Sequence, residues 1–501
     1  MKRYSFFLLL LVLLPSVAHS QPVQQKLIVP LQFQTIIDTN KTVMLPAEYE
    51  ISVFYAGILK RPRFMALSPK NMICVADIDG HQIVALPDAN RDGIADTAVV
   101  IAPEVDTAHS LAFYNGDLYV AQPSRVRKFI DKNGDGFYES EEPFITGIGD
   151  TGYYNHFTRT IVFDTIGKHI YLSVGASCNA CREGDPERGT ILQFNLDGSG
   201  RRIFATGLRN ALGLAINPED GRLWATNADR DGLGDEIPPE IITPVYDSTF
   251  YGWPFAYRNQ EWENFQAGSE YKSMLPILSG DSARVHSMQN RDDRHVYIGA
   301  HMTPMGILFY HDPRIAPKNQ NQVFFAVHGS SSNGRPVARG YEVMRIVYND
   351  SLEVYRAEDF LTGFLTDSIN YKYWGRPCGI VQDTSGDIFL SCDLGIPAIY
   401  RIHLRDQIAV KPVMQEKAWL AVYPNPITSS ATISFSLPSH QYVRLELIDQ
   451  LGRVIQLLRS ENEDAGSKNV AFQTGGLPGG MYYLRLQDDN GMLSQKVIIT
   501  K

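Results

Sequence analysis

Hard oxygen ligands at regular spacing are the first chemistry this chain offers. Asp131, Asn133 and Asp135 alternate ahead of Gly136 and Phe137, and Glu142 stands twelfth from Asp131. Calcium takes about six to eight oxygens, and this alternation turns several carboxylates inward. Gly136 permits the sharp turn, Phe137 lends a backbone carbonyl, and a twelfth-position Glu can bind through both oxygens. Asp88, Asn90, Asp92 and Gly93, with Asp96, repeat the pattern, but Val99 occupies the twelfth place. Asn227, Asp229, Asp231, Gly232 and Asp235 form a third, looser version in which Asp229 and Asp231 are the expected ligands. All three lie between strand-like segments, so none is an EF-hand in fold. A polar turn without metal is the competing reading.

Cysteine chemistry is less decisive. Cys178 and Cys181 form a CxxC, but no second CxxC completes a zinc site and no His follows for c-type haem. A local disulfide and a free pair both remain open there. Cys378 and Cys392 flank the hairpin-like GIVQDTSGDIFLS and could meet across it. Cys74 is left over as a buried strand residue.

The elements that must position these groups read as repeated hairpins. RFMALSPKNMICVAD, SLAFYNGDLYVAQ, RTIVFDTIGKHIYLSVG, LGLAINPEDGRLWATN, MGILFY with QVFFAVHG, and CGIVQDTSGDIFLSCD each place a Gly/Asp turn or a longer connection between two β-rich runs. Early copies start roughly 50 residues apart, the period of a propeller blade. Residues 255–300 look like an insertion. Six copies predict an all-β chain, a six-bladed β-propeller over 46–405 preceded by an extension over 21–45. After a polar connector at 406–418, residues 419–501 read as a small β-sandwich of short strands.

Composition agrees. The chain has 501 residues, 44% hydrophobic and 20% charged, with Gly 40 and Pro 28, which suits a turn-rich globular β protein. The net charge of −9 gives no electrostatic case for nucleic acid. Lys2 and Arg3, the apolar run Phe6 to Leu14, and Ala18-His19-Ser20 predict a signal peptide over 1–20, with Gln21 as the new N-terminus.

Two resemblances sharpen this picture. Tyr423-Pro424-Asn425-Pro426, LELIDQLGRVI, GLPGGMYYLRL and a Lys-bearing last strand resemble the C-terminal sorting domain of type IX secretion cargo. That implies passage through the periplasm to the surface or medium, with the type IX machinery as partner. From 46 to 405 the chain resembles the pyrroloquinoline-quinone-dependent sugar dehydrogenases of the sorbosone and pyranose branch. HFTRTIVF, YLSVGASCNAC, GTILQFNLDGSG, FATGLRNALGLAINPEDGRLWATNADRDGLGDEIPPEI, YGWP, HMTPMGILFY, VFFAVHGS, GYEVMRI and WGRPCGI with SCD carry it, in that order.

That family is a six-bladed propeller, and the resemblance assigns roles. His156 matches the catalytic base, for which a neutral imidazole with a pKa of about 6.5 is suited. Arg209 matches the cation beside the quinone oxygen, with Asn210 next to it. Arg376 and Asp393 match positions at the cofactor rim, and His301 and His328 lie at equivalent blade ends, as candidate contacts to cofactor or substrate. An ion at Asp229 and Asp231 would clamp the cofactor. Pyrroloquinoline quinone and calcium are the implied cofactors, a sugar is the implied substrate, and the electrons must leave to a separate acceptor such as a soluble cytochrome or a quinone. Tyr153-Tyr154-Asn155 depart from the small residues usual before the base. Ala176 follows Gly175 where the glucose-oxidising branch has an acid, so either another carboxylate, with Asp235 the candidate, orients His156, or the base is weaker. The reading is a secreted quinoprotein oxidoreductase acting on a sugar hydroxyl or aldehyde. A non-catalytic surface scaffold and a calcium-dependent lactonase-type hydrolase are its competitors.

Overall fold

Short apolar strands separated by tight turns bury their faces by pairing in chain order, and this chain does so throughout. The computed structural model describes residues 21–149, 156–290, 294–312, 314, 322–331, 336–349, 354–405, 419–437, 440–450, 452–464, 466–488 and 491–500. The predicted signal peptide, the connector 406–418 and Tyr153-Tyr154-Asn155 lie outside them. Two compact units divide the chain at Arg405 and Asp406.

The first unit holds six main sheets, most of them in sequence order: five are four-stranded and antiparallel, and the third adds a fifth, parallel strand, Thr249–Phe250. The first strands of the six are Pro62–Leu67, Ser110–Tyr114, Ile161–Asp164, Ala211–Ile216, Pro304–Tyr310 and Gly375–Gln382. Each lies against the first strand of the next sheet, and Gly375–Gln382 lies against Pro62–Leu67. The expected insertion carries two short helices, Ser269–Lys272 and Ser279–His286, before Val296–Ile298 supplies the last strand of the fourth sheet. The sixth sheet takes its outer strand from far upstream: Tyr49–Ala56 pairs with Ala398–Leu404, Tyr49 opposite Leu404.

Glycine makes the close approach of these first strands feasible. A Cβ on Gly213 would lie 2.0 Å from Met305 O, and one on Gly379 would lie 2.6 Å from Arg63 O. The residues just before such glycines, Leu212, Met305 and Cys378, join Phe64 and Ala228 in one buried cluster. Hydroxyls stitch neighbouring sheets: Thr226 Oγ1 donates to Met305 O at 2.6 Å, and Ser391 Oγ to Arg63 O at 2.6 Å.

The expected Cys378–Cys392 bridge is absent, and both thiols are free and buried. The register places Pro377, not Cys378, opposite Cys392, and Cys378 falls in the irregular stretch between Pro377 and Ile380. Cys74 is also free and buried, and Cys178–Cys181 is a disulfide.

The second unit has a three-stranded sheet (Trp419–Tyr423, Ser430–Leu437, Gly466–Gln473) and a four-stranded one (Val454–Glu463, Gln441–Ile448, Gly480–Asp488, Gly491–Ile499). Ile433, Phe435 and Phe472 of the first share one apolar core with Val443, Leu445, Leu484 and Val497 of the second.

Candidate active site

In an antiparallel hairpin the start of the first strand and the end of the second share one end. The polar residues singled out above fall at these ends. Arg209 and Asn210 immediately precede a first strand, and His301 and His109 stand just before two others. His328 follows a second strand, and Asp393 lies near the end of another. Packing of the first strands brings them into two hydrogen-bonded groups.

The first group centres on His156 and Arg209. His156 Nδ1 lies 2.8 Å from Ala176 O. A carbonyl only accepts, so Nδ1 carries the proton and Nε2 keeps its lone pair. His156 takes a left-handed backbone (φ 59°), unusual for a non-glycine residue. Gly175 makes room for it, since a Cβ there would lie 2.5 Å from His156 Cβ. Burial, reinforced by the Arg209 guanidinium, pushes the imidazole down to about 3, so it is neutral well below physiological pH. The unperturbed value expected from the sequence does not hold. The ring is oriented through Nδ1 by the Ala176 carbonyl rather than by a carboxylate.

Arg209 is nearly buried and forked into acceptors. Nε donates to Asn179 O at 3.1 Å, Nη1 to Asp229 O at 2.7 Å and Nη2 to Asn179 Oδ1 at 3.0 Å. Its own carbonyl accepts from Ala176 N at 2.7 Å, so one residue ties base and cation together. Asn210 Oδ1 is buried without a hydrogen-bond partner. Asp231 faces His301 Nδ1 at 3.0 Å and Arg209 Nη2 at 3.8 Å. His301 also lines a cavity of about 150 Å³ with Asp235, Glu236, Ser330 and Arg339. Beneath them Glu240 accepts from Asp229 N at 2.6 Å, and burial pushes it up to about 8.

The second group is ionic. His328 Nε2 lies 2.7 Å from Asp393 Oδ1, and Arg63 Nη1 lies 2.5 Å from Asp393 Oδ2. Burial alone would raise Asp393, but His328 and Arg63 hold it well below the usual carboxylate range. Burial brings His328 down to about 4 against the pull of Asp393. Arg63 Nε also donates to His109 Nδ1 at 3.3 Å, and burial with Arg63 lowers that histidine too. Arg376 Nε donates to His328 O at 3.0 Å, and its guanidinium lies 5.0 Å from the Tyr341 ring centre. Sequence reasoning missed Arg63, His109 and Asn179. Arg63 and His109 are single polar residues with no local motif, and Asn179, though inside the CxxC, is given meaning only by partners far away in sequence.

The three acidic loops are not alike, and only the third, at Asp229 and Asp231, belongs to the first group. Asp131 accepts from Gly134 N, Asp135 N and Gly136 N, and Asn133 from Asp135 N. Asp88 and Asn90 repeat this with Asp92 N and Gly93 N, and Asp96 accepts from Ala89 N. Glu142 is not in the first loop. It lies in the strand Ser140–Thr146, 3.3 Å from Lys128 Nζ, because the strand resumes two residues before position twelve. Glu139 stands nearer: its carboxylate and those of Asp131 and Asp135 offer oxygens within 4.8 Å of one another. The Phe137 amide donates to Asp135 Oδ1. The third loop folds differently, since Asp229 Oδ1 accepts from Arg230 N and Nε and is thereby turned to a buried arginine.

Comparison with known proteins bears on what this arrangement is. A family profile described as TrAA12-like matches residues 43–403, and one described as a secretion system C-terminal sorting domain matches residues 421–500. An uncharacterised protein from Borreliella burgdorferi is 22% identical over 381 residues, 73% of this chain and 92% of that one. The holo form of the pyranose dehydrogenase PQQ domain from Coprinopsis cinerea aligns with a TM-score of 0.58 at 18% identity, covering 75% of this chain and 100% of that one. The calcium structure of Trichoderma reesei carbohydrate-active enzymes family AA12 aligns with a TM-score of 0.58 at 16% identity, covering 72% and 97%. At such identities the structural likeness shows the fold.

Proposed function

This chain belongs to the TrAA12-like family of PQQ-dependent sugar oxidoreductases, and from that premise we propose that it oxidises a sugar hydroxyl or aldehyde with His156 as the base. It ends in a secretion sorting domain that directs it by the type IX route to the cell surface or beyond. We infer further that the six sheets are the blades of a closed propeller, and that the two C-terminal sheets form a sandwich.

The observation that carries the catalytic reading is the His156 tautomer. Its Nδ1 is committed to Ala176 O, so Nε2 is the atom that accepts the substrate hydroxyl proton. The residues fit the cofactor. Pyrroloquinoline quinone is a tricarboxylate, and Arg209, Arg376, Arg61 and Arg63 supply cations at the same strand ends. Asn210 Oδ1 is a buried acceptor still to be matched. Arg209 would stand beside the quinone oxygen, where a fixed cation in a dry site stabilises developing charge. When bound, the quinone supplies the hydride acceptor. Removing the hydroxyl proton to His156 and the carbon-bound hydrogen as hydride leaves a carbonyl, and the electrons then pass to a separate acceptor.

Calcium is proposed for the loops at Asp131, Asn133, Asp135 and Glu139 and at Asp88, Asn90, Asp92 and Asp96. Asp229 is left out because Arg230 holds its carboxylate. Incubating the purified protein with the quinone and calcium, then measuring bound quinone by absorbance and dye reduction over a sugar panel, tests the whole reading. A protein that binds no quinone would favour the scaffold alternative.

A further inference from the structure

Asn179 lies inside the turn closed by the Cys178–Cys181 disulfide. Its backbone oxygen accepts from Arg209 Nε at 3.1 Å and Trp253 Nε1 at 2.9 Å. Its side-chain oxygen accepts from Arg209 Nη2 at 3.0 Å and Asp231 N at 2.8 Å. Its amide nitrogen donates to Asp231 O at 2.9 Å and Glu270 Oε1 at 2.7 Å. The turn is tied a second time, as Ser177 N and Oγ each donate to Glu183 at 2.6 Å.

We propose that Asn179 is the positioning residue for Arg209, and that the Cys178–Cys181 bond is the clamp that keeps it in place. In its catalytic consequence this rests on the quinone reading above. An arginine side chain loses much rotamer freedom when fixed, and a planar fork needs acceptors at matched positions to stay aimed. Asn179 supplies two of them from one residue. A disulfide closing so short a loop removes little chain entropy from the unfolded state, so its contribution is local rather than global. The same turn begins at Ala176, which holds His156, so opening it loosens cation and base together.

The disulfide can be opened deliberately. Cys181 lines a cavity of about 360 Å³, which gives a small reagent a route to it. A dithiol breaks the S–S bond by supplying two electrons, leaves thiols on Cys178 and Cys181, and closes its own disulfide.

The test reads Arg209 directly in the quinone-free protein. Modification by an arginine-selective dicarbonyl is followed by mass spectrometry, with exposed Arg202 as the internal standard. Asn179→Ala and dithiol-reduced wild type should label Arg209 about 10-fold to 100-fold faster than oxidised wild type, the range for losing charge-assisted hydrogen bonds. Asn179→Asp keeps the acceptor oxygen and should restore most of the protection. In the loaded enzyme, Asn179→Ala should weaken quinone binding and lower turnover together. Unchanged Arg209 labelling in both Asn179→Ala and the reduced protein overturns the proposal. If Asn179→Ala does not fold, the reduced wild type carries the same test. The expected labelling in a protein that binds no quinone would remove the redox reading and leave the clamp standing.

Discussion

His156 and His328 are both held neutral, yet they are built for different work. His156 is anchored through Nδ1 to a backbone carbonyl, which fixes the tautomer and leaves Nε2 able to take a proton. His328 is anchored through Nε2 to an ionised Asp393 that Arg63 also grips. Burial and the Arg209 guanidinium outweigh the upward pull of the Ala176 carbonyl, so His156 falls to about 3. A carboxylate partner raises basicity, but burial outweighs Asp393 and His328 still falls to about 4. The first arrangement offers an open nitrogen. The second offers a rigid, charge-balanced floor.

The sharpest way to break this contrast is to remove each histidine's role in turn. His156→Ala should cut turnover about 10²–10⁴-fold, roughly 3–5 kcal/mol of barrier, while bound quinone stays constant by absorbance. Full turnover in that variant would hand the base role to another residue.

Asp393→Ala should act on stability instead. It strands Arg63 in the interior, and breaking a buried pair costs about 3–5 kcal/mol. Denaturant midpoints measure it, and a loss below about 1 kcal/mol would mean the ionic floor is not structural.

pH separates the groups further. In the fold His156 and His328 bind protons only near 3 and 4, whereas the unfolded chain binds them near 6.5. Their stabilisation is complete above about 6.5 and is lost as pH falls, by at most about 1.4 kcal/mol per pH unit for each. Glu240 and Glu342, raised by burial to about 8, oppose this, because the fold keeps their protons after the unfolded chain has released them. Stability should therefore decline above about 6.5 and below about 4.5, with a plateau between. Thermal melts across that range check it. The turnover profile should show no limb near neutrality from His156. A rise of kcat through pH 6 to 7 would return the base to its unperturbed value.

The smallest expected effect is Arg209→Lys. A point charge replaces a fork, so quinone affinity and turnover should each fall about tenfold rather than vanish. Equal activity would show that charge alone suffices there.

Much of this was legible in the sequence because it is periodic. The Leu212-Gly213, Met305-Gly306 and Cys378-Gly379 pairs mark first strands, since glycine is required where those strands touch. His156 and Arg209 were reached through motif order, and the structure brings them together. Arg63 and His109 were not legible, because one residue from each of several sheets meets only after the sheets pack. Glu139, not Glu142, stands beside Asp131 and Asp135, because loop spacing borrowed from a helical context does not foresee a strand resuming at Ser140. The Cys378–Cys392 pairing failed by one residue of register, which no turn signal discloses.

The strand Tyr49–Ala56 reaches the ribosome exit long before its mate Ala398–Leu404 exists. Until then it is a bare edge, and bare edges recruit other strands. Such distant pairing makes folding slow, because the loop entropy is spent before the contact rewards it. A chain of this design therefore has no finished sixth sheet until Ala398–Leu404 has emerged. The reverse also holds: loss of the residues from Ala398 onward removes more than one hairpin, since the earliest strand of the sixth sheet then loses its paired strand and, among the described residues, keeps only the bridge to Ile28 and the bond from Ala95 N as backbone ties.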